Sequence, residues 1–244
     1  MTWIKICGIT NLEDALIAVD AGADALGFVF YEKSPRRVSP EVVCEITTHL
    51  PAKIEKVGVF VGDDPEHWPD FVRNAGLTGT QLHFGLQAGS GSARAYGVGC
   101  FPPGFKQYLS IPADWVIQYE DRAKSFISSA APAAESMRSA SGGDDFFANF
   151  FQTIFLDSGS LRQPGGTGMV FDWRKAAPMV EHMKETVRVV IAGGLNPANV
   201  GEAIRILKPW GVDVASGVEA KPGKKDPEKV RAFITAVRQA ERSA

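Results

Sequence analysis

Two reactive side chains stand directly after short apolar runs, where a buried strand is expected to end. Cys7 follows the run WIKI, and Asp157 follows the run TIFL. A thiolate is a capable base toward a C–H proton, and a carboxylic acid in a dry site can protonate a leaving oxygen. The pair is therefore a candidate general base and general acid. The residues alone leave two alternatives open, namely a cysteine buried as a small hydrophobe and an aspartate that caps the following loop.

Small residues follow two later apolar runs. Gly193 and Gly194 come after RVVIA, and Ser216 and Gly217 come after GVDVA. Exposed backbone N–H groups close to a helix N-terminus attract anions, and in parallel barrels the loops after the last two strands often bind a phosphate. The spacing therefore favours a phosphate site, although the same residues would also suit two tight turns.

Further polar residues follow the second and fourth apolar runs. Arg36 lies in the segment FYEKSPRR, and its guanidinium can bind a carboxylate or a phosphate bidentately. The alternative for Arg36 is a solvated loop charge beside Arg37. We interpret His83 as a histidine of the core rather than of a site wall. The segment QPGGTG at 163–168 suggests a hinged lid, or else a plain flexible loop.

These residues need a scaffold, and short apolar runs alternate with helical patterns along the chain. Seven runs predict strands, and FKQYLSIPA at 105–113 supplies an eighth. The runs are almost continuously apolar, which indicates a parallel sheet buried on both faces. Eight βα units in 244 residues predict an α/β fold of the (β/α)8 TIM-barrel type, with the active site at the C-terminal strand ends. An open doubly wound sheet is the alternative, but no GxGxxG turn follows the first strand.

The organisation along the chain is simple. We expect a single domain over residues 1–244, with a flexible insertion at 128–145, before the sixth strand, because that stretch is small, polar and low in complexity. Thr10 and Glu13 have the spacing of a capping box at the start of the first helix, and Gly22 predicts the end of that helix.

Composition excludes several classes of function. A net charge of −2 provides no basic field, so we expect neither a nucleic-acid nor a membrane partner. No apolar run approaches the roughly 20 residues of a membrane span, and the N-terminus lacks the pattern of a secretory signal. Cys7, Cys44 and Cys100 form neither a CxxC pair nor a disulfide framework. We therefore expect reduced thiols and a cytoplasmic location.

Several motifs together resemble the phosphoribosylanthranilate isomerase family of tryptophan biosynthesis. They are KICGIT, GFVFYEKSPRRVSP, VGVFV, TQLH, FLDS, GGTGMVFDW, IAGGLNPANV and GVDVASGVEAKPGKKD, in order from residue 4 to about residue 226. The resemblance implies a TIM barrel and an Amadori rearrangement of N-(5-phosphoribosyl)anthranilate to 1-(2-carboxyphenylamino)-1-deoxyribulose 5-phosphate. It implies a small phosphosugar as the ligand, with no cofactor and no metal. The oligomeric state stays open between a monomer and a homodimer.

The resemblance also implies a role for each candidate residue. Asp157 would protonate the ring oxygen, and Cys7 would then remove the proton from C2. Arg36, rather than Arg37, would contact the substrate carboxylate, and Asp213 would contact the sugar hydroxyls. Backbone N–H groups of four residues would hold the phosphate: Gly193, Gly194, Ser216 and Gly217.

Three alternative functions would need different residues. The Amadori isomerase of histidine biosynthesis resembles two half-barrel repeats with an aspartate in each, whereas this chain shows no such repeat and has Cys7 where an aspartate would stand. A barrel lyase that makes indole-glycerol phosphate would need a catalytic lysine on an early strand, and Lys5 is the only candidate. A non-catalytic phosphosugar-binding barrel would depend on neither Cys7 nor Asp157.

Overall fold

The computed structural model describes residues 1–61, 72, 74–83, 105–130, 152–159 and 169–243. The segment interpreted as a lid, 163–168, lies outside the described residues. The predicted insertion at 128–145 overlaps them only at residues 128–130, which form the end of a helix.

Eight parallel strands close into a barrel in chain order. This architecture confirms the predicted (β/α)8 fold, including the eighth strand expected in FKQYLSIPA. The strands are β1 (Trp3–Cys7), β2 (Ala25–Val29), β3 (Glu55–Val61), β4 (Gly79–His83), β5 (Lys106–Pro112), β6 (Thr153–Asp157), β7 (Arg188–Ile191) and β8 (Gly211–Val214).

Within the described ranges, helices follow β1, β2, β5, β6, β7 and the ribbon after β8. A 3-10 turn and a short antiparallel ribbon, β9 (Glu219–Lys221) and β10 (Lys224–Lys225), follow β8 and precede the last helix. None of the helices within the described ranges has the length and hydrophobicity that a membrane crossing requires. The described helices are Leu12–Ala21, Pro40–Thr47, Ala113–Gln118, Glu120–Ala130, Trp173–Met183, Val200–Leu207 and Pro227–Arg242.

The first helix begins one residue later than the predicted capping box requires. Asn11, rather than Thr10, is the N-cap, and its side chain accepts a hydrogen bond from the backbone N–H of Asp14 at 2.9 Å. The hydroxyl of Thr10 instead donates to the carbonyl of Gly223 at 2.6 Å. The predicted C-terminal stop is confirmed, because Gly22 adopts a left-handed conformation with φ of 103°.

Alternate strand residues point into the barrel, and their sizes divide its interior in two. Toward the N-terminal strand ends, the rings of Trp3, Tyr108 and Phe155 pack with centroid distances of 5.6 to 6.1 Å. Toward the C-terminal ends the inward residues are smaller or polar. The strand register pairs Lys5 with Asp213 and Cys7 with Gly27, so the polar residues of β1 lie directly above the aromatic layer.

Candidate active site

A cavity of about 380 Å³ lies at the C-terminal ends of the barrel strands. It brings together residues that are distant in the sequence, as the strand-end rule for parallel barrels predicts. Seven of the eight candidate site residues line it: Cys7, Arg36, Asp157, Gly193, Gly194, Asp213 and Ser216. The eighth, Gly217, packs behind the cavity wall, where a Cβ atom would collide with the carbonyl oxygen of Leu195.

Asp157 ends β6 with its carboxyl group nearly buried, at 9% exposure. Burial raises the pKa of Asp157, and this effect outweighs the opposing influence of Lys5 and of a hydrogen bond from the backbone N–H of Gly159 at 2.8 Å. The carboxyl group therefore retains its proton to a higher pH than an ordinary aspartate. The loop-capping alternative and the acid role are compatible, because Asp157 caps the loop and lines the cavity.

Cys7 ends β1 and is 8% exposed. Burial raises the pKa of its thiol, while the positive charges of Lys5 and Lys225 act in the opposite direction. The backbone at this point is fixed from below, because the Nζ atom of Lys225 donates to the carbonyl oxygen of Cys7 at 2.7 Å. The sulfur thus stands at the cavity wall on a firmly held strand end.

The glycine after Cys7 makes room for a second site residue. Gly8 has φ of 76°, a left-handed conformation that favours glycine. A Cβ atom there would lie 2.5 Å from Cδ of Arg36. The absence of a side chain at Gly8 therefore allows both the turn after β1 and the passage of Arg36 across it.

Arg36 is a fixed residue of the site, and the alternative of a solvated loop charge is wrong. Its Nε and Nη2 atoms donate to the two carboxylate oxygens of Glu219 at 2.8 and 2.7 Å, and its side chain is 12% exposed. Arg37, by contrast, is 56% exposed and lies 3.7 Å from Glu32. The bidentate pair uses two of the five guanidinium N–H donors of Arg36.

The loop after β7 presents backbone groups to the cavity. Gly193 and Gly194 have φ of 80° and 65°, and a Cβ atom on either would collide with the backbone of a neighbouring segment. Ser216 in the loop after β8 lines the same cavity. Among the described residues, no hydrogen bond uses the backbone N–H of Gly193, Gly194 or Ser216. These groups can therefore bind an anion.

Lys5 does not line the cavity but contacts Asp213, which does, and the sequence analysis did not assign it to this chemistry. Its side chain is fully buried, and its Nζ atom lies 2.9 Å from Oδ1 of Asp213. Burial alone would lower the pKa of Lys5, but the negative charges of Asp213 and Cys7 reverse the shift, so the group stays an ammonium. A signal was available, because Lys5 precedes Cys7 by two residues on one strand and therefore shares its face.

Strand β4 contributes two more residues to the cavity wall. His83 lines the cavity, which corrects its interpretation as a core histidine. Burial, together with the charge of Lys5, lowers its pKa to about 4, so the imidazole is neutral near pH 7. Gln81 also lines the cavity, and within the described part of the chain its buried side-chain oxygen has no hydrogen-bond partner.

The sequence also did not reveal two partners of the site residues. Glu219 and Lys225 are both buried and form an ion pair at 3.0 Å beneath Arg36 and Cys7. They come from the ribbon after β8, far from β1 in sequence. No local pattern reveals this pairing, which depends on the closure of the barrel.

Fold and site together have the features of a (β/α)8-barrel enzyme that acts on a phosphorylated ligand by acid–base chemistry. Residues 4–94 and 121–236 match the family model of N-(5'-phosphoribosyl)anthranilate (PRA) isomerase. A protein of that name from Chlorobaculum parvum is 39% identical over 245 residues, which cover 99% of this chain and 97% of the relative. The chain belongs to the phosphoribosylanthranilate isomerase family.

Solved structures agree with this assignment. A phosphoribosylanthranilate isomerase in complex with reduced 1-(o-carboxyphenylamino)-1-deoxyribulose 5-phosphate is 34% identical, with a TM-score of 0.72 over 98% of this chain and 100% of that one. Monomers of the dimeric phosphoribosylanthranilate isomerase from Thermotoga maritima give a TM-score of 0.73, with the same identity and coverage.

Proposed function

We propose that this protein isomerises N-(5-phosphoribosyl)anthranilate to 1-(2-carboxyphenylamino)-1-deoxyribulose 5-phosphate, with Asp157 as general acid and Cys7 as general base. The observation that carries the proposal is that both residues line one cavity, together with the glycine loop after β7. Membership of the isomerase family supports the reaction, and the raised pKa of the Asp157 carboxyl supports its role as the acid.

The first step opens the ribose ring. Asp157 donates its proton to the ring oxygen as the bond between that oxygen and C1 breaks, and the anthranilate nitrogen forms a double bond with C1. Burial favours this step, because an aspartate with an ordinary pKa would already have lost its proton near pH 7. The positive charge of Lys5 favours the carboxylate that results.

The second step moves hydrogen away from C2. The thiolate of Cys7 removes the C2 proton, and the electron pair of that bond shifts through C1 to the positively charged nitrogen. The enolamine that forms gains a proton at C1 and loses one from the C2 hydroxyl to give the ketone. The imine already activates C2, so this chemistry calls on no metal and no cofactor.

The other residues of the cavity bind the substrate. Arg36 pairs with the anthranilate carboxylate through N–H donors that Glu219 leaves free, and Asp213 accepts hydrogen bonds from the sugar hydroxyls. The phosphate accepts hydrogen bonds from the backbone around three residues that line the cavity, while Gly217 allows the two phosphate loops to pack closely. The three lining residues are Gly193, Gly194 and Ser216.

We also propose that the chain works as one domain over residues 1–244, in the cytoplasm, as a monomer or homodimer. A dimeric relative supports the second state. The ligand is a small phosphosugar, and the net charge of −2 supports the absence of a nucleic-acid partner. Sedimentation of the purified protein at assay concentration tests the oligomeric state.

The direct test is the decay of phosphoribosylanthranilate fluorescence, with the substrate made in situ. We expect rapid decay with the wild-type protein and a kcat lower by roughly 10²–10⁴-fold in both Cys7→Ala and Asp157→Asn. Cys44→Ala is the matched control, since Cys44 lies on the helix Pro40–Thr47 away from the cavity residues. Background decay with wild-type protein would refute the function, and near-normal turnover in a variant would refute the role of that residue.

A further inference from the structure

Lys5 occupies an unusual position for a lysine. It is fully buried inside the barrel, one inward position below Cys7 on β1. Its Nζ atom lies 2.9 Å from Oδ1 of Asp213 and 5.3 Å from the ring centroid of Phe155. Burial of an ammonium is unfavourable unless other charges compensate for it, so a lysine at this position next to Cys7 indicates a function.

Gly27 brings the ammonium and the thiol close to each other. Gly27 is paired with Cys7 in the register of β1 and β2. A Cβ atom on Gly27 would lie 2.7 Å from Sγ of Cys7 and 3.0 Å from Nζ of Lys5. The two groups therefore approach the same point above the β2 backbone, in the space that the missing side chain leaves.

The positive charge of Lys5 opposes the effect of burial on the thiol of Cys7. Burial is the largest influence on the pKa of Cys7 and raises it, and the charge of Lys5 is the largest influence in the opposite direction. The pKa of Lys5 is raised in turn by the charges of Asp213 and Cys7, against the effect of burial. With a neutral side chain at position 5, less would oppose the effect of burial, and the pKa of the Cys7 thiol would rise further.

We propose that the ammonium of Lys5 stabilises the thiolate of Cys7 and thereby sets the pH range in which Cys7 acts as a base. Lys5 is a positioning residue in this account, because it acts through Cys7 and not on the substrate. The proposal deepens the proposed function and rests on it for the role of Cys7. The other titratable or charged groups around the thiol are Asp213 on β8, Lys225 on β10, Arg36 after β2, His83 on β4 and Asp157 on β6.

The proton balance is simple. The thiol of Cys7 loses its proton to solvent before turnover, and the ammonium of Lys5 keeps its own. The thiolate then takes the C2 proton of the substrate and becomes a thiol again. Lys5 exchanges no proton in this cycle, so its contribution is the electrostatic stabilisation of one ionisation state.

The test measures the ionisation of Cys7 without any substrate. In a Cys44→Ala, Cys100→Ala background, Cys7 is the only thiol of the chain. The rate of its alkylation by iodoacetamide, followed by mass spectrometry across pH, gives the midpoint of thiolate formation. We expect Lys5→Met to move that midpoint upward by roughly 1–3 pH units and to move the alkaline-going rise of kcat in the same direction. An unchanged midpoint in folded Lys5→Met protein would overturn the proposal.

A second variant keeps the test decisive if Lys5→Met does not fold. Lys5→Gln removes the positive charge but keeps a hydrogen-bond donor beside Asp213, so we expect it to move the Cys7 midpoint upward as well. An unchanged midpoint in folded Lys5→Gln protein would overturn the proposal. Circular dichroism checks that each variant is folded.

The isomerase assay separates this inference from the proposed function. An inactive wild-type protein whose alkylation midpoint still depends on Lys5 would refute the function and support the stabilisation of the thiolate by Lys5. An active wild-type protein whose midpoint does not depend on Lys5 would refute the inference alone.

Discussion

The buried ammonium of Lys225 holds two strand ends at the rim of the cavity, and its removal should destabilise the protein. Its Nζ atom donates to the carbonyl oxygens of Cys7 at 2.7 Å and Ala215 at 3.1 Å, and to Oε1 of Glu219 at 3.0 Å. The side chain has no exposed surface. The substitution Lys225→Met keeps most of the aliphatic volume and removes all three hydrogen bonds.

The expected loss of stability follows from the groups that Lys225→Met leaves without a partner. Breaking a buried ion pair from one side costs about 3–5 kcal/mol. The carbonyls of Cys7 and Ala215 also lose a donor, at about 1–3 kcal/mol for each group left unsatisfied. Two effects oppose this loss, since Glu219 retains its bidentate pair with Arg36 and an ammonium no longer has to be desolvated. We therefore expect the free energy of unfolding to fall by about 3–5 kcal/mol.

Urea denaturation followed by tryptophan fluorescence measures this change, with the slope m compared between proteins. Lys221→Met is the matched control, because Lys221 is exposed on the same ribbon and its substitution should stay within about 0.5 kcal/mol. A loss below about 1 kcal/mol in Lys225→Met, the range of an exposed pair, would show that the ammonium does not anchor the strand ends.

Three further predictions concern the cavity itself. Because the pKa of Asp157 is raised in the folded state, stability falls as the pH rises from the unfolded-state pKa of about 3.9 through the folded-state pKa. Asp157→Asn should therefore unfold at higher urea than wild type at pH 7, and the difference should shrink toward about pH 4. Gly8→Ala should cost about 1–2 kcal/mol in urea denaturation through its left-handed backbone, and should raise KM because the new methyl displaces Arg36. Arg36→Met should raise KM in the fluorescence assay by roughly tenfold to a hundredfold, while Arg37→Met should leave KM unchanged. Equal KM values for the Arg36→Met and Arg37→Met proteins would refute the contact between Arg36 and the substrate carboxylate.

The barrel was predictable because its strands are hydrophobic almost throughout. Both faces of a parallel barrel strand are buried, so each strand appears in the sequence as a short apolar run between helical patterns. The start of the first helix was not predictable in the same way. Thr10 and Asn11 are both good N-caps, and the choice depends on a hydrogen bond from Thr10 to Gly223, more than 200 residues away.

The candidate site was predictable for residues at the ends of the barrel strands, and it was not predictable for the residues of the ribbon after β8 that pair with them. Cys7 and Asp157 follow apolar runs, so the rule alone directs both to one cavity. Lys5 could have been found from the alternation of strand side chains. Glu219 and Lys225 could not, because they meet β1 only after the ribbon that follows β8 has folded back.

The proposed chemistry needs two ionisation states that are rarely found together in water. An isolated cysteine has a pKa of about 8.5 and an isolated aspartate has a pKa of about 3.9. At every pH the combination of thiolate and carboxylic acid is therefore rarer than the combination of thiol and carboxylate, by roughly tenfold for each unit between the two pKa values. The site narrows this gap from the acid side, since burial raises the pKa of Asp157. Burial alone would widen it from the base side, because the same effect raises the pKa of Cys7. The proposed reaction therefore requires cations near β1 that lower the pKa of the Cys7 thiol. Lys5 is the cation whose charge acts most strongly on that thiol.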